Sequence, residues 1–331
     1  MTADQEDWPF ISVCIPVKNG GKRLPRCLKS LRNLDYPADR IEIIIADGRS
    51  TDDTVEVAKS FGCRVLDNPG QTVAAGRNVS FSAARGSFIA STDDDCIVAS
   101  DWIQRWIKSF DAPEIAAIGV LSLLPPDAPS WARAANFVFR LASRSGYSVQ
   151  ADHLEAGDSD DIPGGNAFYR VDAFRAVGPY NESLVTAEDV EWHRRVRAMG
   201  MRLKTSPDFF VWHDKRPTPA GLFRQMRRFA EGRIQLSRTM PEALRPLHRV
   251  MGWSAPFGLL AAGAVAAFLP WWTIPLAAMV IWLMLAVNAR TDGEPNLASV
   301  LLAPALAVVV VGWSYGYLKE RFFPMPSTVG R

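Results

Sequence analysis

Short, fully apolar runs alternate with helical patterns along the first third of the chain. Residues 10–17 (FISVCIPV) form an unbroken apolar run closed by Lys18-Asn19-Gly20-Gly21. That pattern predicts a strand buried on both faces, followed by a glycine-containing loop. Leucines at 24, 28, 31 and 34 recur at helical spacing. Residues 41–46 (IEIIIA) predict a second buried strand, ended by Asp47-Gly48-Arg49-Ser50. Thr51-Asp52-Asp53-Thr54 then opens a helix, its acidic side chains matched to the positive helix start. A third strand is predicted over 63–66, a helix over 70–84 and a fourth strand over 87–91. Strands alternating with helices over roughly the first 110 residues predict a mostly parallel sheet of nucleotide-binding type.

The middle of the chain continues in the same manner. A strand over 114–124 is broken by Pro125-Pro126, and a helix is predicted over 128–147. An acidic, polar loop follows over 151–161. Pro163-Gly164-Gly165-Asn166 leads into a short strand over 167–169, then a helix over 186–199 and a strand over 209–213.

After residue 220 the texture changes. Residues 221–249 carry arginines at 224, 227, 228, 233, 238, 245 and 249 against only Glu231 and Glu242. Residues 250–289 carry no charge at all. As helix they would extend roughly 60 Å, two bilayer cores of about 30 Å each. Pro270-Trp271-Trp272 in their middle suits an interfacial turn. A further uncharged run covers 295–318, beyond the polar link Arg290 to Glu294. Three such runs after a basic belt predict membrane spans whose preceding arginines stay in the cytoplasm. Three spans would place Lys319 and Arg321 outside, against the same rule. A re-entrant hairpin over 250–289 is the alternative.

Composition narrows the picture further. The formal net charge of +2 gives no reason to expect nucleic acid as a partner. Cysteines at 14, 27, 63 and 96 include no C-x-x-C pair, so a zinc knuckle or redox motif is not expected, and reduced cytosolic thiols are. Residues 1–9 lack the basic and apolar regions of a signal peptide. No G-x-G-x-x-G or G-x-x-x-x-G-K occurs, which removes the dinucleotide fold and the P-loop.

The candidate chemistry centres on Ser91-Thr92-Asp93-Asp94-Asp95-Cys96, immediately after the fourth strand. Adjacent carboxylates repel, and a cation relieves them. In an open α/β sheet the carboxyl ends of the strands form the ligand crevice. Hard oxygen ligands there suit Mg2+ or Mn2+ bridging to substrate phosphates. Taken alone, the six residues fit a solvated acidic turn or helix cap equally well.

In their order, these stretches resemble family 2 glycosyltransferases of the GT-A (nucleotide-diphospho-sugar transferase) fold. Within that family the chain is most similar to bacterial exopolysaccharide transferases of the succinoglycan type, anchored by C-terminal transmembrane helices. The likeness covers roughly residues 10–235. It implies that Pro16, Lys18 and Asn19 in the first loop, with Asp47 in the second, hold the donor's nucleotide base; an aspartate can accept a uracil imide N–H. Arg77, in Gly76-Arg77-Asn78, is implied near the donor, where it could neutralise diphosphate charge. Asp93 and Asp95 match the family's D-x-D element, which binds a divalent ion on the donor diphosphate, although the triple aspartate allows a register through Asp94. Ala187-Glu188-Asp189-Val190 resembles the E-D element, implying Asp189 as catalytic base and Glu188 as its orienting neighbour. Gly165 and Asn166 resemble a loop that shapes the acceptor side. His213, in Val211-Trp212-His213-Asp214-Lys215-Arg216, is implied as a third metal ligand or phosphate partner. Gln225 and Arg228 resemble the Q-x-x-R-W element of processive synthases, but Phe229 stands where that element has Trp, so processivity is not implied.

The expected organisation is therefore a cytoplasmic α/β GT-A domain with a mostly parallel sheet over 1–220 and a basic juxtamembrane helical segment over 221–249. An all-α transmembrane region of about three helices follows over 250–318, then a tail over 319–331. The expected activity is metal-dependent, inverting transfer from a nucleotide-sugar, UDP-linked by preference, to a lipid-linked glycan or polysaccharide at the cytoplasmic membrane face. Three alternatives stay open: a polyprenyl-phosphate sugar synthase using a GDP- or UDP-sugar, a nucleotidyltransferase, and an inactive membrane scaffold.

Overall fold

The computed structural model describes residues 8–144, 156–214, 218–268, 273–291 and 299–325. The chain divides into two compact units. The first comprises Met1–Leu123, Val149–Glu182 and Glu188–His213; the second comprises Leu124–Ser148, Ser183–Ala187 and Asp214–Arg331.

The first unit is built on one sheet. Strands β1 (Ile11–Val17), β2 (Ile41–Asp47), β3 (Arg64–Asp67) and β4 (Phe88–Ser91) run parallel in the order β3-β2-β1-β4. Helices α1 (Leu24–Arg32), α2 (Thr54–Ser60) and α3 (Val73–Ser82) make the crossovers. Beyond β4 the sheet is mixed. β5 (Cys96–Val98) and α4 (Trp102–Ile107) come next in sequence, then β6 (Ile115–Leu123). Helix α5 (Ser130–Arg144) belongs to the second unit, and the chain returns through β7 (Gly157–Asp158) and β8 (Ala167–Arg170). Helices α6 (Val171–Val177) and α7 (Glu188–Ala198) lead to β9 (Arg202–His213). β8 runs antiparallel between β4 and β6, β9 lies parallel to β6, and β5 and β7 pair antiparallel with β9. The sheet is thus mostly parallel, as expected.

The alternation of side chains in β1 explains why the sheet is covered on both faces. Ile11, Val13, Ile15 and Val17 enter a core with Leu24, Leu28, Trp102 and Trp106, whereas Cys14 points to an opposite core with Phe81, Tyr169 and Trp192. Trp106 stacks on Phe168 with ring centroids 4.1 Å apart. A buried carboxylate ties β1, β2 and the entry to β4 together. Glu42 accepts hydrogen bonds from Ser12 Oγ at 2.7 Å, Arg85 N at 2.8 Å and Arg85 Nε at 3.0 Å. Burial raises this carboxyl, but those bonds outweigh it and hold it below its ordinary value.

The second unit is helical. It contains α5, α8 (Pro219–Ser237), α9 (Pro246–Phe268), α10 (Thr273–Thr291) and α11 (Leu302–Phe322). Thr218 caps α8 by accepting from Gly221 N at 3.2 Å, with Pro219 in the first turn. α5, α8 and α11 share a core of Ala134, Phe137, Leu222, Met226, Ala305 and Val309. Where about three spans were expected, one helix among the described residues, α11, is long and apolar enough to cross a membrane, and 44% of its apolar window is buried within the protein. The predicted turn at Pro270-Trp271-Trp272 and the Lys215-Arg216 pair lie outside the described residues.

Candidate active site

The loops after β1 and β2 meet because the strands end in register, Val17 opposite Asp47. Gly48 N donates to Val17 O at 2.7 Å. Asn19 (φ 52°) and Arg49 (φ 57°) both take left-handed backbone, which turns the two loops toward one another. Ser50 Oγ accepts from Asn19 N at 2.9 Å, and Asn19 Oδ1 accepts from Thr51 N at 2.8 Å. Asp47 is 7% exposed and receives Ser50 N at 3.1 Å and Ser50 Oγ at 2.5 Å. A carboxylate has about four lone-pair positions, so these bonds do not saturate it. Lys18 Nζ donates to Gln71 Oε1 at 2.6 Å. Gly76 allows α3 to lie on Pro16, since a Cβ there would stand 2.7 Å from Pro16 Cβ. The structure thus brings Pro16, Lys18, Asn19 and Asp47 together at the carboxyl ends of β1 and β2.

The three aspartates after β4 part company. Pairing of Cys96 with His213 brings the end of β9 back to the cluster. Oxygens of Asp93 and Asp95, the Cys96 sulfur and a His213 ring nitrogen all lie within 4.8 Å of one another. His213 Nε2 is 3.2 Å from Asp95 Oδ1. Asp94 turns away to Arg23, which approaches it at 2.6 Å through Nη2 and at 3.1 Å through Nε. Burial and the charge of Asp95 push the Asp94 carboxyl up to about 6, with Arg23 opposing. Asp93 and Asp95 therefore share one cluster while Asp94 pairs with Arg23, a cation that the sequence reading missed. The donor set fits a hard divalent ion. Two carboxylates and one imidazole are the hard and borderline donors in the group, and burial pushes the Cys96 thiol well above its ordinary value.

A single turn joins this cluster to the E-D element. A Cβ on Gly165 would lie 2.6 Å from Asp93 Oδ2, and one on Gly164 would lie 2.7 Å from Asp189 Cβ and 2.8 Å from Asp189 Oδ2. Two consecutive glycines thus leave room for the two carboxylates. Asn166 is 2% exposed; its Oδ1 accepts from Thr92 Oγ1 at 2.8 Å and its Nδ2 donates to Ser122 Oγ at 3.3 Å. Both ends of its side chain are thus hydrogen-bonded inside the protein, beneath the turn.

Asp189 is the second residue of α7, which follows Ala187, whose φ of 68° is costly for a residue with a Cβ, by about 1–2 kcal/mol. Glu188 is buried beside it and pairs with Arg77 at 2.7 Å. Burial and the neighbouring Asp189 charge push the Glu188 carboxyl up, while Arg77 opposes them. Arg77 is 4% exposed, beneath the surface of the candidate site. Its guanidinium holds Glu188 from below, although its charge is felt at Asp93. One helical turn beyond Asp189, the fully buried His193 has Nδ1 3.3 Å from Asp161 Oδ1, a pair that sequence reading did not find. Gln225 (half-buried) and Arg228 (exposed) lie on α8 in the second unit.

A mostly parallel sheet with paired loops at its first two strand ends, a split aspartate cluster after the fourth and an acidic helix start defines a glycosyltransferase of the GT-A type. The chain belongs to glycosyl transferase family 2, whose family model matches residues 12–178. Glycosyltransferase AglE of Haloferax volcanii is 26% identical over 234 residues, covering 69% of this chain and 74% of that protein. The succinoglycan biosynthesis protein ExoA of Rhizobium meliloti is 26% identical over 338 residues, covering 97% of each chain. Among solved structures, the mannosyltransferase PcManGT from Pyrobaculum calidifontis, in complex with GDP-Man and Mn2+, aligns with a TM-score of 0.65 at 18% identity. That alignment covers 95% of this chain and 88% of the other. TarS of S. aureus in complex with UDP-GlcNAc gives a TM-score of 0.52 at 16% identity over 94% of this chain and 91% of the other.

Proposed function

We propose that this glycosyltransferase is metal-dependent and inverting, and that it moves a sugar from a UDP-sugar to a lipid-linked glycan at the cytoplasmic face of a membrane. The observation that carries the reading is the Gly164-Gly165 turn, which sets Asp93 and Asp189 against adjacent residues of one backbone. The loops around Asp47 and Asn19 receive the base. Asp93, Asp95 and His213 would hold a divalent ion, which supplies Lewis-acid stabilisation to the departing nucleoside diphosphate. Asp189 takes the acceptor hydroxyl proton as the oxygen attacks the anomeric carbon, giving inversion. Glu188, anchored by Arg77, fixes the start of α7 and with it the Asp189 carboxylate. The GDP-Man and Mn2+ named for one fold neighbour and the UDP-GlcNAc named for another support a nucleotide-sugar donor. Full-length similarity to a succinoglycan biosynthesis protein supports a polysaccharide-type acceptor. The uncharged stretch 250–289 behind an arginine belt supports a multi-pass membrane location.

Transfer assays with purified Asp189→Asn and Asp93→Asn variants test the assignment. Asp189→Asn should lose about 10²–10⁴-fold in kcat and still bind donor, the range expected for removal of a general base. Asp93→Asn should lose the divalent-dependent thermal shift with donor. Full turnover by either variant overturns the site, and transfer to unglycosylated polyprenyl phosphate alone overturns the acceptor assignment.

A further inference from the structure

We infer that His193, bonded to Asp161, is a positioning residue for the Asp189 carboxylate: the pair fixes α7 against the segment that turns through Gly164 and Gly165. The inference rests on the role proposed above for Asp189 and adds a residue to that machinery. All of the residues concerned belong to the first unit.

Segment and helix are matched in length. Asp189, His193 and Arg197 stand four residues apart on α7 and form one stripe along it. Each meets the chain over 160–164. Gly164 lies against Asp189, where a Cβ would stand 2.7 Å from Asp189 Cβ. Asp161 Oδ1 lies 3.3 Å from His193 Nδ1. Arg197 Nη1 donates to Asp160 O and lies 4.0 Å from Asp161 Oδ1. The contacts follow opposite orders along the two stretches, so the segment runs antiparallel to the helix. Eight helical residues rise about 12 Å and four extended residues reach about 13 Å, so the two rows stay in step from end to end.

The far side of the segment is fixed on the sheet. A Cβ on Gly119 of β6 would stand 2.7 Å from both Ile162 Cβ and Pro163 Cδ, so the segment lies directly on that strand. Ser159 N donates to Leu203 O of β9 at 2.9 Å. Ile162 shares one core with Trp192 and Val196 of α7. A segment clamped in this way offers Asp161 as a fixed point to the helix.

His193 is the residue that uses it. A carboxylate only accepts, so Nδ1 carries the proton and donates to Asp161. Nε2 is buried with no hydrogen-bond partner among the described residues. Leaving a buried nitrogen unpaired costs about 1–3 kcal/mol, which an apolar side chain of similar volume would avoid. Apolar packing alone would hold α7 to the sheet but set its rotation loosely; a directional bond to a fixed carboxylate sets rotation and height together. Asp189 lies one turn away, about 6 Å along the axis, so any rotation at His193 reaches its carboxylate. The Arg77–Glu188 pair holds the residue before Asp189, and the His193–Asp161 pair holds the turn after it.

Kinetics and melting of the full chain in detergent test this. His193→Phe keeps an aromatic ring and loses the donor. His193→Asn keeps a donor near the place of Nδ1 and loses volume. The expected result is a kcat about 10–10²-fold lower in His193→Phe with donor KM unchanged, and a kcat largely restored in His193→Asn even though that variant melts lower. Full kcat in His193→Phe, or a kcat that follows melting temperature through both variants, overturns the inference in favour of packing alone. In an Asp189→Asn background, His193→Phe should cost nothing further, because no base is left to position. A further tenfold loss there overturns the inference and leaves Asp189 as the base, whereas full turnover by Asp189→Asn itself overturns the role of Asp189 on which the inference rests. Should His193→Phe not fold, Asp161→Ala reads the same bond from its partly exposed side: the same loss in kcat is expected, and full kcat overturns the inference.

Discussion

Gly164 and Gly165 show how a missing side chain can make room for two carboxylates. Neither needs glycine for its backbone angles; each is needed for space, one beside Asp189 and the other beside Asp93. Because the two contacts are separate, their losses should be separable. Gly165→Ala is expected to raise the KM for donor and weaken divalent binding, since its Cβ displaces Asp93. Gly164→Ala should lower kcat with donor affinity kept, since it displaces Asp189. Steady-state kinetics of both variants checks this, and equal effects on both constants would refute the division. The same residues mark how far the sequence could be read. The three aspartates looked alike in sequence because the partner that draws Asp94 aside, Arg23, lies 71 residues away. Gly76-Arg77-Asn78 likewise gives no sign that Arg77 pairs with Glu188, 111 residues away. Local motif reading names the residue types; the partner that turns a side chain inward comes from a distant strand or helix.

At the scale of elements, legibility followed length and periodicity. β1 and β2, seven residues each with nearly continuous burial, were plain from their apolar runs. β5 has three residues and no period to detect, and α4 and α6 have only six and seven. β9 runs for twelve residues where five were expected, because Lys204, Thr205, Ser206 and Asp208 make its first half look like a loop. Its polar side chains are accommodated by pairing with β7 and by exposed partners such as Asp111, 3.1 Å from Lys204. The buried Glu42 is an element-scale feature, since it binds strands to a crossover. With its folded-state value held below the ordinary one, its stabilisation is complete above the unfolded-state value of about 4.3 and is lost as pH falls through the folded value. Glu42→Gln should cost about 2 kcal/mol at pH 7, the worth of a charge-assisted hydrogen-bond set. Denaturant titrations should show that deficit shrinking towards zero in acid. A deficit constant from pH 7 to pH 3 would assign it to packing instead.

At the scale of the molecule, the two units have separate cores. Donor with Mn2+ at a hundred times its dissociation constant should stabilise the first unit by about 2.7 kcal/mol. Calorimetry in detergent should show the transition of that unit rising while the transition of the helical unit stays in place. A common shift of both would mean that they unfold as one. The pairing of α8 with α11 has a consequence for how the protein is made. Lys319 is 88 residues downstream of the Glu231 it neutralises. At about 5–20 residues per second, the ribosome adds that stretch in roughly 4–18 s, during which α8 exists without its lifelong neighbour. Chains stopped before residue 302 should therefore be cleared rapidly in a pulse-chase while chains that carry α11 persist; until α11 emerges, α8 waits for the cover that its buried carboxylate needs.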